Sequence, residues 1–395
     1  MNPLKPHSLF FLVQSGIILT LVGCSSIPER MRIPVPQELV EQAKVPGLPQ
    51  ARYWGDQKSP FSDEILKTPK AEVAKKYPEL VNRKYTFLSI SGGGANGAYG
   101  AGLLVGWTAR GDRPEFSEVG GISTGAIMAP FAFLGSEYDS VLIDLYTNQA
   151  TEDVIHERQV LKAIRADAFC DTQPLRKLLL GYLGEKEIQK IAAEYKKGRR
   201  LLIGTVNIDA MRPVIWDIGA IASSGVPGAR ELIVDIIRAS AAIPVAMPPV
   251  FIDVEANGRI YQEMHVDGGL YSQVMTYPVS MHWNEVAKKL NTQGKTDLYV
   301  IRNAKLEPEW EVVKPKISNL AARTISSLIR AQGIGDLYQL YFTSKRDGVD
   351  IHISSIPADF SKTSTEPFDK VYMGALFQTG YDAILKGSPW VEKID

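Results

Sequence analysis

Cysteine is nearly absent: Cys24 and Cys170 are the only two in 395 residues. A disulfide-built scaffold is therefore excluded, and no Cys/His cluster has the spacing of a zinc site. Neither sign of charge is in excess, with Lys and Arg numbering 44 and Asp and Glu also 44. Without a basic surplus there is little to neutralise phosphates, which argues against nucleic acid as a partner. Internal repeats and low-complexity tracts are missing too. No apolar run reaches the roughly 20 residues of a membrane-spanning helix. What is present is 45% hydrophobic and 22% charged, the balance of a globular chain with room for one large domain or two ordinary ones.

The longest apolar run, Leu9–Val22, follows Lys5 and ends at Gly23 and Cys24. A cationic lead, a short apolar core and a small-residue junction read as a signal peptide over residues 1–23. Leu21-Val22-Gly23-Cys24 resembles the bacterial lipobox. That resemblance implies acyl chains on Cys24 and a partner in the membrane surface, held because each buried methylene adds about 0.8 kcal/mol. Ser25 lacks the acidic signal that retains some bacterial lipoproteins in the inner membrane, so the periplasmic face of the outer membrane is the expected address. Residues 24–84 are punctuated by prolines from Pro28 to Pro78 and read as a tether with irregular segments lying against a body. Short helices are predicted around Glu38–Lys44 and Ala71–Lys76.

Three glycine-marked turns follow. Tyr85–Ile90 is strand-like and runs into Ser91-Gly92-Gly93-Gly94-Ala95-Asn96-Gly97, then a small-residue helix from Ala98 to Ala109. Glycines there permit positive φ and direct successive N–H groups at an anion beside a helix N-terminus. Gly92, Gly94 and Gly97 also fit a dinucleotide fingerprint with Glu115 as its acid, but Glu115 sits in a turn-like stretch and does not close a strand. The second turn, Gly121-Ile122-Ser123-Thr124-Gly125, has the pattern of a nucleophile elbow before an apolar helix from Ala126 to Leu134. The third, Asp267-Gly268-Gly269, follows the strand-like Arg259-Ile260-Tyr261 and would alone read as a hairpin turn.

In this order the three turns, with Arg238-Ala239-Ser240-Ala241-Ala242-Ile243-Pro244 before the last, resemble the patatin-like phospholipases between about Tyr85 and Pro278. The resemblance implies a three-layer α/β/α fold with a central, mostly parallel sheet. It places a catalytic core in residues 85–280, with residues 281–395 completing the same domain with added helices. It further implies a lipid ester substrate, no cofactor and no metal. Ser123 would be the nucleophile and Asp267 the base, and the amides of Gly92, Gly93 and Gly94 would form the oxyanion hole. Two positions depart from the family pattern: Asn96 stands where a basic residue is usual, and Ser91 where an aspartate is frequent.

Elsewhere Arg199–Asp209, Pro213–Ile218, Asp297–Asn303 and Val349–Ser354 read as strands, and Gly228–Ala242, Ile317–Tyr341 and Pro367–Lys386 as helices. The amphipathic stretches 160–182 and 320–342 read as core-packing helices, with caps over the site or membrane-facing surfaces as the other readings. Two further functions stay open from the residues alone. Ser123, Asp297 and His352 follow the chain order of a Ser-Asp-His hydrolase triad, and a non-catalytic lipid-binding lipoprotein would need only the anchor and a pocket.

Overall fold

The computed structural model describes residues 32–158 and 168–393. Cys24, the signal segment and part of the stretch 160–182 lie outside the described residues.

The strands are β1 (Arg52–Trp54), β2 (Thr86–Ile90), β3 (Glu118–Gly121), β4 (His156–Glu157), β5 (Cys170–Asp171), β6 (Arg200–Asn207), β7 (Arg212–Asp217), β8 (Val250–Ala256), β9 (Arg259–Asp267), β10 (Asp297–Arg302) and β11 (Asp350–Ser355). All but the small β4–β5 pair share one sheet, in the order β1-β7-β6-β3-β2-β10-β11, with β9 pairing β6 and β8 pairing β9. The run from β6 through β3, β2 and β10 to β11 is parallel. β7, β9 and β1 add antiparallel pairings at the other side. β2 and β6 are buried along their whole length, as expected of parallel strands covered on both faces.

Side chains alternate between two cores. Leu88 and Ile301 pack with the helices Gly97–Arg110 and Thr124–Leu134. Phe87, Leu298 and Val300 pack on the opposite face with Trp283, Val286 and Leu337, so the sheet is the middle of three layers. Glycines let the small-residue helix Gly97–Arg110 do more than lie close to the sheet. A Cβ at Gly102 would strike the backbone of Phe377, and one at Gly380 would strike that of Tyr99. The C-terminal helix Lys370–Lys386 therefore seats directly on it.

The proline-punctuated segment is packed where it is described. Ala43, Val45, Leu48, Ala51 and Trp54 are buried, and β1 extends the sheet beside β7. Around Glu38–Lys44 the structure has only a short 3-10 turn, Gln37–Leu39, while Lys70–Lys76 is helical and a further helix, Pro60–Lys67, precedes it. The strand leading to Asp267 continues from Arg259 without a break. Asp267-Gly268-Gly269 is thus a strand end followed by a 3-10 turn and does not join a hairpin. No helix among the described residues is long and apolar enough to cross a membrane.

Candidate active site

Parallel strands deliver their following loops to one edge of a sheet, and Gly92 and Ser123 arrive there together. β2 and β3 pair in register, Ile90 against Gly121, so each chain turns at the same level. A Cβ on Gly92 would lie 3.1 Å from the Cβ and 3.7 Å from the Oγ of Ser123. Only glycine lets the two loops approach so closely. Gly125 answers the same demand from the other side, because a Cβ there would strike the Ile90 carbonyl.

Ser123 carries φ 55° and ψ −122°, a left-handed conformation for a residue with a side chain, and caps the helix Thr124–Leu134. Such strain is held only where neighbours fix it. The clamp is Ser240, fully buried, whose Oγ accepts the Ser123 N–H at 3.0 Å and donates to the Gly204 carbonyl at 2.6 Å. Two residues later the Ala242 carbonyl accepts the Asp267 N–H at 2.9 Å. The Ala-Ser-Ala-Ala segment therefore fixes both functional candidates.

Register brings Asp267 alongside. Gly121 pairs with Ile203, and Thr205, two residues on, pairs with Asp267, which is the level Ser123 reaches two residues past Gly121. The Asp267 carboxylate accepts the Gly269 N–H at 2.7 Å, and the nearby Ser123 hydroxyl favours its charged form. Burial outweighs both contacts and pushes its pKa up to about 6.

The glycine turn is held open. Gly93 and Gly94 have φ 152° and 56°, and a Cβ on Gly93 would lie 2.8 Å from that of Asn303. Among the described residues, the amides of Gly92 and Gly93 donate to no acceptor. Asn303, just past β10 and fully buried, clasps the turn. Its N–H donates to the Ser91 Oγ at 2.8 Å, its Nδ2 donates to the Ser91 carbonyl at 3.0 Å, and its Oδ1 accepts the Gly100 N–H at 3.1 Å. Ser91 thus fills its departure from the family pattern with a neutral, satisfied hydroxyl. Asn96 is likewise engaged, its Oδ1 accepting from the Tyr372 hydroxyl at 2.6 Å.

Residues 88–279 match the family model of the patatin-like phospholipases. This patatin-like segment is just under half of the chain and contains both serine and aspartate turns. The architecture is the patatin fold, with the three layers and mostly parallel sheet that the sequence motifs implied. The structure is also similar to that of VipD from Legionella pneumophila, at 13% identity and a TM-score of 0.34, covering 77% of this chain and 66% of that one, short of two thirds. No curated protein sequence matches the chain.

The other acid–imidazole pair is elsewhere. Asp297 opens β10 opposite Thr86, at the amino end of the parallel strands. It accepts from His352 Nε2 at 3.2 Å and pairs with Lys84. Five residues of β2 separate that end from the glycine turn, about 16 Å at 3.3 Å per residue, so Ser123, Asp297 and His352 do not meet. His265 is buried within a separate network, its ring between Thr205 Oγ1 at 2.9 Å and Glu263 at 3.0 Å. Glu115 is exposed on its loop beside Arg199, remote in role from the glycine turn. No group of three or more His, Cys, Asp or Glu residues among those described could hold a metal.

Three residues around the site carry no motif. Asn303 is one, Gln273 and Asp336 the others. The Gln273 Nε2 donates to the Gly269 carbonyl at 2.8 Å, and its Oε1 would lie 3.3 Å from a Cβ on Gly92. Asp336, on the long helix Ile317–Asp347, accepts the Gln273 N–H at 2.6 Å. The only sequence signal for Asn303 was its place at the carboxyl end of a predicted parallel strand.

Proposed function

We propose that the protein is a serine lipid acyl hydrolase acting through Ser123 and Asp267. The observation that carries this reading is a strained serine set beside a buried carboxylate and pressed against a turn with unused N–H donors. Asp267 takes the Ser123 proton as Oγ attacks the ester carbonyl. The amides of Gly92, Gly93 and Gly94 receive the negative charge that develops on the carbonyl oxygen. Collapse passes the proton to the departing alcohol and leaves an acyl-serine. A water molecule, deprotonated by the same carboxylate, then releases the fatty acid. A base with a pKa near 6 is better matched to neutral pH than an ordinary carboxylate.

The reading extends to the chain's address: Cys24 carries the acyl anchor, and the enzyme works at the periplasmic face of the outer membrane. A fluorophosphonate ester should label the wild-type chain and not Ser123→Ala, and fatty-acid release from a lipid extract should vanish in the same variant. Labelling that persists in Ser123→Ala would move the nucleophile elsewhere and overturn the assignment.

A further inference from the structure

The helix Ile317–Asp347 is about 46 Å long at 1.5 Å per residue and is apolar on two opposite sides. One side is accounted for. Gly333 abuts the Arg302 side chain, and Leu337 and Leu340 are buried in the core. At 100° per residue, Ile317, Leu320, Leu328 and Phe342 fall within an arc of roughly 80° on the far side. These four are 89%, 50%, 65% and 65% exposed. A helix that is apolar on two faces calls for two partners, and the body supplies one. Apolar exposure of this extent is uncommon on a protein that meets only water.

We propose that this outer face docks on an anionic lipid surface, a proposal that rests on the lipid-hydrolase reading above. The exposed apolar groups are not confined to a helical seam, as they would be for a coiled-coil pairing with a second copy. Trp310 and Val312 precede the helix and are largely exposed, and Leu270 and Tyr271 stand half exposed a few residues past Asp267. Lys314 and Lys316 both stand just before Ile317 and form no ion pair with any described residue, while Glu309 and Glu311 beside Trp310 are paired with Lys305 and Arg323. Exposed aromatic and aliphatic groups bordered by free lysines suit the boundary between head groups and acyl chains. The same helix holds the Gln273 amide through Asp336, so the docking face and the loop bearing Asp267 belong to one mechanical unit.

The test uses the full chain carrying Ile317→Ser, Leu328→Ser and Phe342→Ser together. Turnover of ester lipid in phosphatidylglycerol-containing vesicles should fall at least tenfold, while turnover of a short soluble ester stays within about twofold. In parallel, vesicles with brominated acyl chains should quench tryptophan emission in the wild type, and Trp310→Phe should lose a measurable share of that quenching. Equal losses on both substrates would show that the face merely supports the fold. Unchanged vesicle turnover, or a wild-type dimer that the triple variant dissociates, would overturn the proposal. If the wild type hydrolyses neither substrate, the enzymatic reading fails, and the quenching arm alone decides the docking.

Discussion

The two ends of the parallel sheet each hold a buried aspartate, and the two are tuned in opposite directions. At the amino end Asp297 is surrounded by Lys84 and His352, whose contacts outweigh burial and hold its carboxyl below the usual range. At the carboxyl end Asp267 has no cation, only a serine hydroxyl and one backbone amide, and burial lifts it to about 6. Both are nearly closed to water, at 8% and 6% exposure, but Asp267 lies deeper and lacks a charged partner, so depth and partners together decide the difference. The amino end pairs Asp297 with Lys84 and His352. The carboxyl end keeps two amides unsatisfied and a serine strained. Unspent hydrogen-bonding capacity marks the place where chemistry is to occur.

The sharpest way to break this contrast is Asp267→Asn. Fatty-acid release should drop by about 10²–10⁴-fold, the usual worth of a general base. The wild-type rate should itself fall as pH drops through 6, where the carboxylate takes up a proton. Stability should move the opposite way. Because the folded pKa lies above the unfolded one, the folded state binds the proton more tightly, and stability is lost as pH rises from about 4 to 6. The asparagine variant should therefore melt higher than the wild type at pH 8 and equally at pH 4, as read by circular dichroism. A variant with no thermal gain at pH 8 would show that burial does not burden Asp267.

Gly93→Ala should come next in size. Its Cβ has no room against Asn303, so the turn must shift, and misaligned donors typically lose about 10²–10³ in rate. Parallel measurement of Asn303→Ala would sharpen the point. A comparable loss there, with the fold retained, would show that the clasp and the glycine act on the same donors.

His352→Gln should change turnover by less than about twofold, since its partner Asp297 stays paired with Lys84. A folded but inactive His352→Gln enzyme would erase the distinction between the two ends.

Sequence reading reached the parts of this arrangement that are local. Strand, glycine turn and helix are adjacent in the chain, so Gly92–Gly94 and Ser123 announced themselves, and the Ala-Ser-Ala-Ala segment carried its own pattern. Asn303, Gln273 and Asp336 did not, because a lone polar residue acquires its meaning only from what the fold brings beside it. The Asp-Gly-Gly turn would have misled on its own, since a glycine pair after an aspartate has the same local chemistry whether it turns a hairpin or ends a strand. The helix Ile317–Asp347 was legible as a helix. Its two opposed apolar sides were not, because they blur the single periodic face that an amphipathic pattern displays.

The Asn303 clasp has a consequence for the order in which the protein becomes itself. Ser91 and Asn303 are 212 positions apart, and Tyr372, which tethers Asn96, comes 276 positions after it. On the ribosome, a chain that already contains Ser123 and Asp267 still lacks both fastenings of the glycine turn. The proposed nucleophile is made early and the amides proposed to receive charge are aligned late. Alignment of the turn waits until Asn303 and Tyr372 have been made, and a product of interrupted translation that stops short of Asn303 is left with an unfastened glycine turn.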